Sequence, residues 1–263
     1  MKEEKVRTAV RKRYGKIAKT DSCGCGCTST SQQLGYSKSE LNSVPEGADL
    51  NLGCGNPVAL ASLKKGETVI DLGSGGGLDC FLAAKKVGST GKIIGVDMTA
   101  EMLERARANC KKGGYENVEF RLGEIENLPV ADNTADAIIS NCVINLSINK
   151  QRVFQEAYRV LKPKGRLMIS DMVLLKDIPD KVKNNVLAYV GCVAGAEKKN
   201  DYLNKIEQAG FKQVEVVAEN HLPEVMLNEP DVKAFIKEQN LTKQEITDIS
   251  NAVVSIKISA IKP

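Results

Sequence analysis

Cysteines placed in breaks of the chain pattern carry the chemistry that this sequence advertises. Cys54 lies in Leu52-Gly53-Cys54-Gly55-Asn56-Pro57, Cys142 in Ser140-Asn141-Cys142-Val143, and Cys192 in Gly191-Cys192-Val193-Ala194-Gly195-Ala196. Each stands beside an apolar segment in a stretch that contains Gly or Asn, and a Cys23-Gly24-Cys25-Gly26-Cys27 tract lies upstream. Thiolates are soft ligands, so such a set suits chemistry on a soft atom. Cys142 and Cys192 are fifty residues apart, with no Cys-x-x-Cys knuckle of the structural zinc kind, and no structural metal is expected. A distributed three-thiolate site stays open as a zinc alternative. Cys80 and Cys110 read as small packing hydrophobes.

A glycine-rich loop separates the first two of these cysteines. Asp71-Leu72-Gly73-Ser74-Gly75-Gly76-Gly77 follows a short β-rich run, Thr68–Leu72, and precedes helix-like residues 78–87. The dinucleotide fingerprint Gly-x-Gly-x-x-Gly/Ala fails in both registers, because Leu78 and Cys80 occupy the third glycine position. A phosphate-binding Lys-Ser/Thr after the glycines is missing too. The spacing Asp-x-Gly-x-Gly-x-Gly instead resembles the first motif of Rossmann-like S-adenosylmethionine-dependent methyltransferases. That motif points to Asp71, Gly73, Ser74, Gly75 and Gly77 as cofactor-binding residues. Asp97, twenty residues after Gly77 at the end of a second strand, is placed to accept both ribose hydroxyls.

The elements around the loop alternate. Residues 4–19 predict a basic helix, and 20–50 a long polar loop. Strands follow at 68–72, 92–97, 117–121, 135–140 and 166–172, with helices at 78–87, 99–112 (N-capped by Thr99) and 150–161. The pattern predicts an α/β, Rossmann-like, doubly wound and mostly parallel seven-stranded sheet with a small C-terminal α/β extension. Residues 211–218 and 253–261 alternate as a closing antiparallel pair around helical residues 231–250. The division expected is 1–50 for the N-terminal helix and cysteine loop, 51–219 for the cofactor-binding domain, and 220–263 for a helical segment with a closing strand.

Composition narrows the partners. An apolar fraction of 42% supports a full core, and a net charge of +4 over 263 residues with interleaved Lys and Glu predicts no nucleic-acid partner. The charged start Met1-Lys2-Glu3-Glu4-Lys5 lacks a secretion signal's apolar core, and no apolar run reaches the ~20 residues that span a bilayer. A cytoplasmic protein with no membrane partner is expected, in a compartment where disulfides are transient and catalytic.

Several segments together carry a more specific resemblance. They are Tyr14-Gly15-Lys16-Ile17-Ala18, residues 52–57 and 71–80, Gly95-Val96-Asp97-Met98, residues 123–129, 140–147, 156–162 and 191–196. In these the chain closely resembles the arsenite S-adenosylmethionine methyltransferases of bacterial or archaeal type, from about Val6 to about Gln213. The resemblance implies S-adenosylmethionine as cofactor, with Met98, Ile125, Glu126 and Asn141 joining the cofactor set and Tyr14, on the opening helix, either covering the cofactor or packing in the core. It implies that Cys142 and Cys192 bind trivalent arsenic, with arsenite and methylarsenite as substrates. Cys54, with one of Cys23, Cys25 and Cys27, then serves as a third ligand or supplies electrons through a disulfide that thioredoxin or glutathione reopens. The single-glycine spacing of the upstream tract departs from the family, and an arsenic-collecting arm is the alternative for it. Two rival functions remain: a methyltransferase acting on a quinone or other carbon acceptor, and a non-enzymatic thiol-based metalloid binder.

Overall fold

Four parallel-paired strands with nearly continuous apolar runs build the centre of the sheet. Residues 69–72 of β1 (Thr68–Leu72) are all buried, as are 93–96 of β2 (Lys92–Asp97). Strands buried on both faces lose the polar alternation of a half-exposed sheet. The computed structural model describes residues 3–19, 30–179, 182, 195–221 and 230–263. Within them β3 is Val118–Leu122, β4 Ala135–Asn141, β5 Leu161–Leu174, β6 Lys212–His221 and β7 Val253–Ile261. The sheet order is β3-β2-β1-β4-β5-β7-β6, with β7 antiparallel to both of its neighbours and the other pairs parallel. This is the seven-stranded class I methyltransferase fold.

Side-chain alternation sorts the two faces. Ile70, Leu72, Ile94, Val96, Ile138 and Ile169 point to the layer holding α7 (Lys150–Val160) and α8 (Lys199–Gln208). Val69, Ile93, Ala137, Ile139 and Met168 point to the layer holding α5 (Leu78–Val87) and α6 (Ala100–Gly113). A third apolar cluster joins Cys54, Cys142, Met172 and Val253 to Val6 and Val10 of α1 (Glu3–Ala18). The opening helix therefore packs over the thiols.

Some sequence expectations need correction. The stretch 20–50 is not loop throughout: among its described residues α2 (Thr30–Gln33) and α3 (Lys38–Asn42) form, the latter started by a capping box between Ser37 and Glu40. Thr99 occupies the N-cap of α6 but makes no side-chain cap; Asp97 accepts its amide instead, at 2.8 Å. β5 begins at Leu161, because Leu161 pairs with Ala135 before a register shift and Arg166 pairs with Ala137. The division at 219/220 falls inside β6. β7 inserts between β5 and β6, so the closing antiparallel pair expected at 211–218 and 253–261 forms one edge of the main sheet. Helices α9 (Pro230–Glu238) and α10 (Lys243–Ala252) lead into β7. Among the described residues no helix is long and apolar enough to cross a membrane.

Candidate active site

At the carboxyl ends of β1, β2 and β4 the chain opens into a cleft of about 1120 Å³, its open mouth included. Crevices at this edge are where open α/β sheets bind ligands. Two glycines shape it. Gly73 turns with a φ of +67°, and its amide and that of Ser74 donate to the carbonyl of Val96 at 2.8 and 3.0 Å. A Cβ on Gly73 would lie 2.4 Å from Cγ2 of Val143, so only glycine lets the loop pass the β4 turn. Gly75, at φ +50°, has nothing within 4 Å of a Cβ position and donates its amide to Oδ2 of Asp97 at 3.0 Å.

Asp71, Gly73, Ser74, Gly75 and Asp97 all line this cleft, as do Met98, Ile125, Glu126, Asn141 and Tyr14. Gly77 is not in the lining. It is the left-handed N-cap of α5 (φ +96°), and a Cβ there would meet Phe81 at 2.7 Å. Packing against Phe81 therefore demands a glycine at this position on its own account. Tyr14 comes from α1, which spans the cleft and ties Arg7 and Arg11 to Glu124 at 3.4 and 2.6 Å.

The cleft floor is acidic. Asp71 is 2% exposed, and burial, reinforced by the charge of Asp79, holds its carboxyl well above the ordinary range. Burial likewise pushes Asp79 up to about 6, against hydrogen bonds from Asn141 and Tyr36. Burial raises Asp97, while the amides of Thr99 and Gly75 pull it back. Buried carboxylates crowded together favour a cationic occupant. The Ser74 hydroxyl oxygen is also buried with no partner among the described residues. A cofactor with a sulfonium and an ammonium group and several hydroxyls fits this lining. Asp71 and Asp79 suit its cationic end, and Asp97 its sugar hydroxyls.

Two thiols meet beside the cleft. Cys142, which lines it, follows β4 with a φ of +58°, a backbone state that costs a non-glycine residue about 1–3 kcal/mol and collects at functional sites. Its amide donates to the carbonyl of Ser170 at 2.8 Å. Cys54 reaches the same place from the loop before α4 (Pro57–Leu60), its thiol 3.4 Å from the Ser170 carbonyl oxygen. Cys54 is 3% and Cys142 7% exposed. Their sulfurs and a carboxylate oxygen of Asp171 all lie within 4.8 Å of one another.

Asn141 joins the thiols to the floor. Its Oδ1 accepts the Cys54 amide at 3.0 Å. The two hydrogens of its Nδ2 are shared among the Gly55 carbonyl (2.8 Å), the Tyr36 hydroxyl (2.9 Å) and Oδ2 of Asp79 (3.0 Å). Tyr36 donates to Oδ1 of Asp79 at 2.7 Å.

Sequence reasoning missed Tyr36, Asp79 and Asp171. The available signals were an acid inside the apolar run of β5 and another in the first turn of α5. Cys23, Cys25, Cys27 and Cys192 lie outside the described residues. Cys80 is fully buried and donates to Oδ2 of Asp71 at 3.2 Å, and half-buried Cys110 donates to the Tyr115 carbonyl, so neither faces the paired thiols. His221 ends β6 exposed.

Residues 63–210 match the family model described as a methyltransferase domain. The arsenite methyltransferase of Halobacterium salinarum is 46% identical over 99% of this chain and 67% of its own length. The arsenite methyltransferase of Aquipseudomonas alcaligenes is 38% identical over 80% of this chain and 63% of its own. The chain thus spans about two thirds of the length of these curated relatives. Among solved structures it is similar to an arsenic(III) S-adenosylmethionine methyltransferase from Chlamydomonas reinhardtii, with a TM-score of 0.64 and 32% identity, covering 89% of this chain and 72% of that one.

Proposed function

Because the chain belongs to the arsenite methyltransferase family, we propose that it moves a methyl group from S-adenosylmethionine to trivalent arsenic held by its cysteine thiolates. One observation carries the reading: Cys142 lines the acid-floored cleft and simultaneously faces the Cys54 sulfur. A thiophilic atom seated on that pair borders the cofactor space directly.

The residues divide the work. Cys142 and Cys192, with Cys54 as the third ligand for arsenite, take arsenite or methylarsenite through sulfur, the donor that soft arsenic prefers. Binding through sulfur leaves the arsenic lone pair free to attack. Bound S-adenosylmethionine supplies an electrophilic methyl group on a sulfonium. No proton leaves the nucleophile, so the site needs no general base, in keeping with a single histidine at an exposed strand end. Asp71 and Asp79 hold the cationic end of the cofactor, Asp97 its sugar, and Tyr14 covers it from α1. The contribution of the protein is chiefly approximation, worth ~7–11 kcal/mol at its upper end.

After transfer, arsenic is formally pentavalent. Attack by a cysteine thiolate on an arsenic-bound sulfur forms a disulfide and returns an electron pair to arsenic. Cys54 and the 23/25/27 tract are the thiols for that step, and thioredoxin or glutathione reopens the disulfide in a reducing cytoplasm.

The test is direct: reduced full-length protein, labelled S-adenosylmethionine, arsenite and a thiol, followed by arsenic speciation. Methylated arsenic is expected, and Cys142→Ser or Cys192→Ser should abolish methylation of both arsenite and methylarsenite. Cys54→Ser should slow the first methylation more than the second. No methylated arsenic from the wild type would refute the reading.

A further inference from the structure

A buried carboxylate shares the thiol site. Asp171 sits in β5, opposite Ile256 of β7, and is 0% exposed. Donors from three parts of the chain aim it. Its Oδ1 accepts Nδ2 of Asn145 at 2.8 Å and the amide of Met172 at 2.9 Å, and its Oδ2 accepts the Tyr202 hydroxyl at 3.0 Å. One of its oxygens lies within 4.8 Å of both the Cys54 and Cys142 sulfurs. Those sulfurs pack with Val6, Val10, Met172 and Val253. Burial pushes the Asp171 carboxyl up to about 6, with its hydrogen-bond donors and the buried Lys150 ammonium pulling it back. The carboxylate persists there without being a suitable ligand, since oxygen is a poor match for soft arsenic beside two sulfurs.

Resting on the arsenic-methylation reading, we infer that Asp171 is the counter-charge for methyl transfer, a fixed carboxylate that stabilises the positive charge arriving on thiolate-bound arsenic. As the arsenic lone pair forms the As–C bond, the methyl–sulfur bond of the cofactor breaks and its electron pair stays on sulfur. The sulfonium becomes a neutral thioether. Arsenic goes from the trivalent to the pentavalent state and takes up the positive charge, and no proton is exchanged. Arsenic held by three thiolates is neutral before the step and cationic after it. The pull of Asp171 is therefore stronger in the transition state than in the ground state, which is the condition for accelerating chemistry. Because Asn145, Met172 and Tyr202 already hold the carboxylate, little reorganisation is needed when the charge develops. Disulfide formation then discharges arsenic again.

Asp171→Asn keeps the size and one acceptor oxygen but removes the charge. With full-length reduced protein, arsenite binding and single-turnover methyl transfer at saturating arsenite are measured separately. The expected result is arsenite affinity within about threefold of wild type and methyl transfer slowed by roughly 10²–10³-fold, the range seen when one preorganised electrostatic group is lost. An active wild type with an equally fast Asp171→Asn variant overturns the inference while leaving the arsenic reading intact. So does a loss of affinity that accounts for the whole defect, which would make Asp171 an oxygen ligand. A wild type that methylates no arsenic removes the premise and the inference together. If Asp171→Asn does not fold, Asn145→Ala and Tyr202→Phe each remove one donor that aims the carboxylate. Both should slow methyl transfer at unchanged arsenite affinity, and unchanged rates in both overturn the inference.

Discussion

The amide of Cys54 donates to the side-chain oxygen of Asn141 at 3.0 Å, so the residue just before Cys142 also holds the backbone of the second thiol. The spacing of the sulfur pair thereby depends on one amide side chain, which Tyr36 and Asp79 fix from the cofactor side. Cofactor cleft and thiol pair are physically joined at that point.

Asn141→Ala should therefore weaken arsenite binding as well as cofactor binding. Losing the acceptor for the part-buried Cys54 amide costs about 1–3 kcal/mol of stability. Asn141→Asp keeps that acceptor but sets a second carboxylate about 3.0 Å from Asp79, and should harm cofactor binding more. Thermal unfolding with titrations of both ligands checks this. Normal arsenite affinity in Asn141→Ala would remove the linkage.

The glycines separate by role. Gly75→Ala projects its methyl into open cleft space, so it should weaken cofactor binding at a folding cost of only about 1–2 kcal/mol for the left-handed φ. Gly77→Ala drives its methyl against Phe81 and Phe120 and should lose about 2–4 kcal/mol of stability. Its folded fraction should bind cofactor better than Gly75→Ala. Denaturant melts paired with calorimetry decide between the two roles.

Thiol labelling should divide the cysteines. Arsenite should protect Cys54 and Cys142 from alkylation and leave the rate at Cys110 unchanged. Cys80 should stay unlabelled throughout the native state, since burial, with Asp71 beside it, pushes its thiol well up. Peptide mass spectrometry reads each site, and Cys142 labelling that ignores arsenite would count against its assignment.

Cofactor binding should strengthen as pH rises through about 6. Burial raises Asp79 from the ordinary 3.8 to about 6 and shifts Asp71 the same way. Their contribution to the stability of the ligand-free protein is complete below the ordinary carboxylate range and is lost as pH rises through the folded value. A cation in the cleft opposes that loss by favouring the ionised forms. The rise in Tm given by S-adenosylmethionine should accordingly be larger near pH 7.5 than near pH 5, and a pH-independent increment would contradict the acidic-floor account.

Local pattern in the chain was enough for the strands, for α1, α5, α6 and α7, and for the glycine loop, but not for α2, α3, α4 or α8. Nearly continuous apolar runs mark β1 and β2 as buried parallel strands, glycine spacing marks the loop, and Asp97 closes β2 at a distance set by one helix and one strand. The cysteines in Gly- and Asn-containing breaks were equally plain as residues. Which groups meet was decided by packing between distant elements. Asn141 pairs with Ser170 across β4 and β5, and this register sets Cys142 beside Asp171. Insertion of β7 next to β5 brings Ser255 to the Cys54 carbonyl at 2.8 Å. The bond between Tyr36 and Asp79 joins a short polar segment to α5 across 43 residues. Periodicity along a strand says which face a side chain takes, but strand order and register say whose neighbour it is. Those come from the free energy of the whole packed sheet, and for that reason the paired thiols, their amide link and their counter-charge appear only in three dimensions.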